Sequence, residues 1–184
     1  LGAMLASVLG ASPPPAAGGY LAREGRPEAV IVTGDRASPF DRFVAGELQG
    51  YIERLSGAKL ELISADKVSH QAKGKSLLLV GGPESNELVR QAANRRQVNF
   101  AGLKAEGYLL RRLSLEGRPA LVVGGNDEAG TMYAAYDLLE RLGHVFLLTK
   151  DILPEKRADV ALPGLDERVE PAFRRRGVHL DNYY

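Results

Sequence analysis

The sequence predicts a mixed α/β protein, an α+β sandwich in which a mixed, largely antiparallel sheet carries helices packed on one face. Three observations support this prediction. Short apolar runs that end at glycine, 29–33 and 76–80, are typical of buried strands. Apolar residues that recur at three- and four-residue steps between such runs indicate helices. Two further apolar runs, 107–113 and 119–123, flank a short turn and therefore indicate an antiparallel hairpin.

The first half of the chain predicts a strand, a helix and a second strand. The β-branched run 29–33 predicts the first strand. A helix is expected next, and Gly57 stands where its C-terminal cap belongs. Residues 60–63 predict the strand after this helix. The apolar face of the helix consists of Phe40, Phe43, Val44, Leu48, Tyr51, Ile52 and Leu55.

A central strand and a weaker helix come next, before the hairpin. The continuous apolar run 76–80 predicts the central strand, and Gly81-Gly82-Pro83 ends it. A helix over about residues 85–96 shows a shorter apolar face and several basic residues near its end. The order of elements therefore alternates between strands and helices up to the hairpin.

The most regular helical pattern comes after the hairpin. It predicts a helix over residues 126–143, with Asn126 or Asp127 as its N-cap. Residues 145–148 predict an edge strand, and the prolines of 151–172 are typical of a linker. The predicted inward face of the helix consists of Met132, Tyr133, Tyr136, Leu139 and Leu142.

Composition excludes several classes of function. The chain has 184 residues, and its 24 Lys and Arg nearly balance its 23 Asp and Glu. A net charge of +1 gives no attraction for nucleic acid or an anionic membrane. The absence of cysteine excludes disulfides, thiolate metal sites and a thiol nucleophile. Three histidines, far apart in the sequence, predict no zinc site, so neither a metal nor another cofactor is expected.

The N-terminal residues 1–19 carry no charge and predict export. An apolar run over 1–11 leads into a stretch rich in proline, alanine and glycine, as in the apolar core and exit of a secretory signal. This run is shorter than the about 20 residues that span a bilayer, so no membrane span is expected. A flexible leader is the alternative interpretation. The first interpretation places the protein in the periplasm or outside the cell.

Two glycine motifs come directly after predicted strands, at 81–85 and 124–130. A strand-to-helix junction of this kind can bind an anion through backbone N–H groups. Neither motif has the spacing of a dinucleotide-binding or Walker loop, and Asp127 and Glu128 would repel phosphate. We interpret both motifs as turns with helix caps, and nucleotide binding at 124–130 is the weaker alternative.

No catalytic residue is assigned within this sequence. The acidic pairs Asp127 with Glu128 and Asp41 with Glu47 are close in sequence, whereas glycosidase carboxyl groups must face each other across the scissile bond. The sequence also lacks the G-x-S-x-G elbow of a serine hydrolase. The polar residues of the chain are therefore interpreted as surface residues.

Three segments together resemble a known family. They are Gly124-Gly125-Asn126-Asp127-Glu128-Ala129-Gly130-Thr131-Met132-Tyr133, continuing to Gly143; Asp151-Ile152-Leu153-Pro154; and Pro171-Ala172-Phe173-Arg174-Arg175-Arg176-Gly177. Over about residues 28–184 the sequence resembles the N-terminal domain of α-glucuronidase-like and β-hexosaminidase-like glycoside hydrolases. The resemblance implies a non-catalytic α/β domain that precedes a TIM-type barrel.

The resemblance also implies a domain organisation. Residues 20–150 would form the accessory domain, 151–172 the linker and 173–184 the first strand of a truncated barrel. In β-hexosaminidase-like members the arginine before the glycine contacts sugar hydroxyls, and Arg176 matches it; a structural surface arginine is the alternative. His179 and Asp181 share the opposite face of the strand, where they line the barrel mouth or fill its interior.

These observations predict an accessory N-terminal domain of a carbohydrate-active glycoside hydrolase. Its partner would be the catalytic barrel of the same polypeptide, and the carbohydrate substrate would be bound through that parent protein. The alternative is a stand-alone carbohydrate-binding module. In that case exposed tyrosines such as Tyr20, Tyr51 or Tyr108 would stack on sugar rings.

Overall fold

The structure is a computed structural model that describes residues 18–173. Its strands are β1 (Tyr20–Arg23), β2 (Arg26–Pro27), β3 (Ala29–Thr33), β4 (Glu61–Ser64), β5 (Ser76–Val80), β6 (Tyr108–Leu115), β7 (Arg118–Gly125), β8 (Val145–Phe146), β9 (Asp151–Ile152), β10 (Val160–Ala161) and β11 (Asp166–Val169). Its helices are α1 (Pro39–Ser56), α2 (Val68–Gln71), α3 (Glu87–Asn94) and α4 (Glu128–Arg141), with a 3₁₀ turn at Ala65–Lys67.

Six strands form the main sheet, in the order β11-β6-β7-β5-β3-β4. The pairs β4–β3, β3–β5 and β5–β7 are parallel, whereas β7–β6 and β6–β11 are antiparallel. The predicted mixed α/β class is confirmed. The sheet is not largely antiparallel, however, because the connections through α1 and through α2 each return the chain in the same direction, so that β3, β4 and β5 are parallel.

Helices cover both faces of the sheet, so the prediction of helices on one face is wrong. Helices α1 and α4 pack on one face, and α2 and α3 pack on the other. The reason lies in the strands, whose alternate side chains point to opposite faces. In β5, Leu78 faces α1 and α4 while Leu77 faces α2 and α3, and every residue of this strand is buried. A sheet that is apolar on both faces needs cover on both.

Helix α1 has the caps that its sequence predicts. Ser38 Oγ accepts a hydrogen bond from the Asp41 N–H at 3.0 Å, and the Asp41 carboxylate accepts one from the Ser38 N–H at 3.1 Å. At the other end Gly57 has φ 77°, the left-handed conformation that ends many helices. This capping box fixes where the chain leaves β3.

Helix α4 begins after its N-cap Asp127, as predicted, and Leu139 and Leu142 of its predicted inward face are buried, but the buried face is shifted away from Tyr133. The buried positions include Thr131, Ala134, Ala135 and Leu138, whereas Tyr133 is 37% exposed. Small residues on this face allow α4 to lie close to the sheet, and Gly125 N–H donates to Thr131 Oγ1 at 3.1 Å. Tyr133 and Tyr136 consequently lie at the side of the helix rather than on its buried face.

The segment after α4 differs from its predicted structure. Strand β8 pairs with β9 in a separate two-stranded hairpin, so residues 145–148 do not form an edge of the main sheet. Residues 151–172, predicted as a linker, contribute three strands. Of these, β10 pairs with β1, and β11 is the edge strand next to β6. Among the helices of residues 18–173, none has the length and apolar character required to cross a membrane.

Candidate functional site

The carboxyl ends of β3, β5 and β7 border a cavity of about 470 Å³. Both glycine motifs of the sequence meet here, since Gly82 and Gly125 line the cavity together with Glu84 and Asp127. In open α/β sheets this edge is the usual position of a ligand site. We call it the strand-end cavity.

The glycines of this cavity pack against each other rather than surround an open anion site. A Cβ atom added at Gly82 would collide with the carbonyl oxygen of Gly125, and one at Gly124 with the carbonyl oxygen of Gly81. The two motifs are therefore rich in glycine because neighbouring strand ends approach closely there.

Asn86 joins the strand ends behind the cavity. It is fully buried, and its Nδ2 donates to the carbonyl oxygens of Val32 at 3.1 Å and Val80 at 2.9 Å. Its Oδ1 accepts from the N–H groups of Leu88 at 3.0 Å and Val89 at 3.4 Å, which caps α3. One side chain thus links β3, β5 and α3 through four hydrogen bonds.

The N-termini of the helices at this edge are capped by the chain's own side chains. Asp127 Oδ1 accepts from Gly130 N–H and its Oδ2 from Glu106 N–H, each at 2.8 Å. Carboxylates at Glu84 and Glu128 also line the cavity. This arrangement disfavours phosphate, because the N–H donors are occupied and the surrounding charge is negative. The geometry supports the interpretation of both motifs as caps and turns.

The two acidic pairs of the sequence have structural roles. Asp41 belongs to the capping box of α1 and is 3% exposed. Glu47 accepts a hydrogen bond from the Tyr136 hydroxyl at 2.9 Å. The carboxylates of Asp41 and Asp127 are thus used in helix caps and that of Glu47 in a bond to a tyrosine hydroxyl, whereas glycoside hydrolysis requires two carboxylates that face the scissile bond.

A second region, the hairpin of residues 145–153, exposes apolar side chains. Leu148 is 98% exposed at its tip. Four other large apolar residues of this hairpin are about half exposed: Val145, Leu147, Ile152 and Leu153. An exposed apolar cluster of this kind is typical of a surface that another body covers. We call it the apolar hairpin.

An aromatic groove of about 540 Å³ lies between α4, β6 and the end of the described chain. Its aromatic residues are Tyr108, Tyr133, Tyr136 and Phe173. The Tyr108 hydroxyl donates to Asp137 Oδ2 at 3.0 Å. Burial and the neighbouring carboxylate raise the pKa of the Tyr108 phenol well above its ordinary value, so this hydroxyl remains a donor.

His144 lies beneath the apolar hairpin. Its ring is 5.2 Å from that of Tyr51, between centroids, and the side chain is 2% exposed. Neither ring nitrogen has a hydrogen-bond partner among the described residues. Burial, with smaller contributions from Arg54 and Arg157, lowers the pKa of the imidazole, and Asp151 opposes this effect. A neutral histidine therefore supports the base of the hairpin.

Comparison with known proteins identifies the family. The sequence model described as "Glycosyl hydrolase family 67 N-terminus" matches residues 20–138. The chain belongs to this family. It is therefore an accessory N-terminal domain of glycoside hydrolases, and the resemblance to α-glucuronidase-like enzymes is confirmed.

The chain spans only a small part of two longer proteins to which it is similar. A solved structure of a family GH115 4-O-methyl-α-glucuronidase, with specificity for decorated arabinogalactans, matches with a TM-score of 0.54 and 20% identity. The match covers 80% of this chain and 17% of that chain, and it shows a shared fold. An S-layer protein of Methanococcus voltae is 34% identical over 76 residues, 41% of this chain and 13% of that protein.

The sequence-predicted site residues of the family 67 N-terminal domain, Arg176, His179 and Asp181, lie outside the described residues, as does the rest of the predicted barrel strand after Phe173. Residues 1–17, most of the predicted leader, also lie outside them. Within 18–173 no group of three or more His, Asp or Glu side chains has the geometry of a metal site.

The tyrosines considered for a carbohydrate-binding module do not form a flat exposed platform. Tyr51 is 5% exposed, Tyr108 is half-buried, and Arg23 lies over the Tyr20 ring at 5.3 Å from its centroid. Sequence reasoning missed the apolar hairpin instead. The sequence contains a signal for it. Leu147 and Leu148 end an apolar run directly before Thr149 and Lys150, and this run does not alternate between apolar and polar residues as a half-buried strand would.

Proposed function

We propose that this family 67 N-terminal domain supports the catalytic barrel of an exported carbohydrate-active hydrolase and takes no part in bond cleavage itself. The apolar hairpin is the observation that carries this proposal. An isolated domain gains nothing from a leucine that is 98% exposed and lies among four half-exposed apolar neighbours. Burial of such side chains against a second domain contributes about 25 cal/mol per Å² of apolar area.

The use of the polar residues also supports a non-catalytic role. At the strand-end cavity, where a ligand site would be expected, the glycines pack against each other and Asp127 caps α4. Of the acidic residues considered for catalysis, Asp41 caps α1 and Glu47 binds a tyrosine hydroxyl. The carboxylates that a glycosidase needs would then belong to the barrel.

The substrate class and the location are inferred from the relatives and the leader. The GH115 relative is a 4-O-methyl-α-glucuronidase with specificity for decorated arabinogalactans. We propose the same class of substrate, a polysaccharide that carries glucuronic acid, for the parent protein. The uncharged residues 1–19 and the match to an S-layer protein favour export. Arg176, His179 and Asp181 remain predicted sugar-contacting residues of the first barrel strand.

The test compares the parent protein with a version that lacks residues 20–173. Deletion is expected to lower the melting temperature and the soluble yield of the barrel, because its docking surface becomes exposed. The 184-residue chain alone is expected to release no product from aryl glycosides. Hydrolysis by this chain, abolished by one substitution within it, would overturn the proposal. In affinity electrophoresis against plant polysaccharides the chain is expected to migrate without retardation; retardation would favour a stand-alone binding module.

A further inference from the structure

We infer that one continuous surface, which runs from the apolar hairpin through Phe146 and Tyr136 to the aromatic groove and Phe173, is where the catalytic barrel of the parent polypeptide docks. We call it the docking surface. This inference rests on the proposed function and adds the surface by which the support is given.

The continuity of the surface comes from ring contacts. The Phe146 ring, in β8, is 4.7 Å from the Tyr136 ring of α4 and 5.2 Å from the Tyr51 ring of α1. Tyr136 in turn lines the aromatic groove beside Tyr108 and Tyr133. The hairpin and the groove are therefore two ends of a single apolar strip, and Tyr136 joins them because it contacts Phe146 and lines the groove.

Three tyrosine hydroxyl groups along this strip already have partners within the domain. The hydroxyl groups of Tyr51, Tyr108 and Tyr136 donate to the carboxylates of Asp151, Asp137 and Glu47. A second domain that covers the strip consequently leaves these hydroxyls satisfied. Burial of unsatisfied polar groups is a main cost of forming an interface, and this surface avoids it.

The position of Phe173 indicates which body covers the strip. Phe173 is 72% exposed and lines the groove. In the sequence, Arg174-Arg175-Arg176 come directly after it.

The charge of the groove is complementary to the three arginines that follow Phe173 in the sequence. Carboxylates at Asp137, Glu140 and Glu170 line it, although Arg141 partly neutralises Asp137, and both Lys104 and Arg168 pair with Glu170. An acidic rim beside an apolar floor is complementary to an apolar surface that carries arginines at its edge. Arg174, Arg175 and Arg176, which follow Phe173 in the sequence, supply such arginines.

Leu62 provides a matched control. It is 43% exposed, comparable to the half-exposed residues of the hairpin, but it lies in β4, at the opposite edge of the main sheet from β11. Because the chain has no cysteine, a single introduced cysteine gives one labelling site per molecule. Exposed leucines at 148 and 62 can be replaced without loss of core packing.

The experiment measures thiol labelling of Leu148→Cys, Phe173→Cys and Leu62→Cys, each in the 184-residue chain and in the full parent protein, by mass spectrometry of the labelled peptide. The docking surface predicts that the parent protein labels about tenfold or more slowly than the isolated chain at positions 148 and 173, since labelling requires an opening of the interface. Position 62 is expected to label equally fast in both proteins.

Each other outcome overturns the inference. Equal rates at 148 in both proteins show that the barrel leaves the hairpin exposed; protection at 148 without protection at 173 shows that the surface is not continuous. Protection of 148 in the isolated chain that grows with protein concentration identifies a second copy as the occupant. If deletion of residues 20–173 destabilises the barrel while 148 stays reactive, the proposed function survives and this surface alone fails.

Discussion

The strand-end cavity and the docking surface differ in how completely the domain satisfies its own groups. At the cavity, the side chains of Asn86 and Asp127 are hydrogen-bonded to backbone groups, and the glycines pack against neighbouring carbonyl groups. Few backbone donors and acceptors are therefore available to a ligand. At the docking surface, Leu148 is almost fully exposed and the His144 nitrogens below it have no hydrogen-bond partner in the described chain. The two glycine motifs, which resemble a ligand site in sequence, therefore have a structural role. The apolar hairpin, which has no recognisable motif, is the segment whose apolar side chains are not buried by the domain.

This contrast separates the residues that stabilise the fold from the residues that are available to a partner. The strand-end cavity stabilises the fold, and changes there are expected to alter stability alone. The docking surface contributes little to the fold, and changes there are expected to alter association. Four substitutions test the contrast, in order of decreasing expected effect on stability.

The largest effect is expected from Asn86→Ala. The substitution leaves the carbonyl groups of Val32 and Val80 without a buried donor and removes the cap of α3. We expect a loss of about 3 kcal/mol in the free energy of unfolding, measured by urea denaturation. Asn94→Ala, at the exposed end of the same helix, is the control and should cost little. Equal midpoints for the two variants would contradict the role assigned to Asn86.

Gly82→Ala is expected to have the next largest effect. Its Cβ would collide with the carbonyl oxygen of Gly125, so two strand ends must separate. A cost of about 2 kcal/mol is typical of such overpacking. The control, Gly46→Ala, places a Cβ in open space on α1 and is expected to stabilise the protein slightly. Thermal unfolding of both variants measures the difference, and a Gly82→Ala variant as stable as Gly46→Ala would refute close packing as the reason for the motif.

His144→Phe is expected to change how stability depends on pH. In the folded chain the pKa of His144 is below its ordinary value, so the unfolded chain binds more protons as the pH falls below about 6.5. The stability associated with the neutral His144 ring is therefore present above that pH. On acidification the free energy of unfolding falls by at most about 1.4 kcal/mol per pH unit because of this group.

The measurement is the urea midpoint between pH 7.5 and 5. The His144→Phe variant is expected to lose less stability over this range than the natural sequence. Exposed His70 supplies the matched control, and His70→Phe should keep the original pH dependence. If both variants show the same pH dependence as the natural sequence, the buried imidazole of His144 does not contribute to the pH dependence of stability.

Leu148→Ser is expected to have the smallest effect on stability. The side chain is 98% exposed, so its loss should change the free energy of unfolding of the 184-residue chain by less than about 0.5 kcal/mol. Calorimetry of this variant beside the natural sequence checks the value. A loss comparable to that of Gly82→Ala would show that the hairpin tip packs within the domain, and the contrast between the two regions would disappear.

The sequence predicted the elements whose local pattern and tertiary environment agree. The apolar run 76–80 is a central strand, and Ser38 and Gly57 end α1 as their residue types suggest. The strand β11 was missed because Asp-Glu-Arg-Val has no apolar alternation; it is held by main-chain pairing with β6 and by the ion pair of Asp166 with Arg111.

The sequence also did not predict that the buried face of α4 is shifted away from Tyr133, and the reason is different. Tyrosines and small residues are both compatible with a buried helical face, and the distance between helix and sheet decides which of them is used. Gly125 and Gly130 bring α4 so close to the sheet that Ala134 and Ala135 fill the contact. The aromatic groove is a consequence, since Tyr133 and Tyr136 are moved to the side of the helix.

The pairing of β11 with β6 has a mechanical consequence. Because β11 ends at Val169, shortly before Phe173, a displacement of Phe173 is passed into the main sheet with little slack. At the other end of the described chain, β1 is held by β10. A force that acts on Phe173 is therefore transmitted along the β11–β6 ladder with little extension of the chain between them.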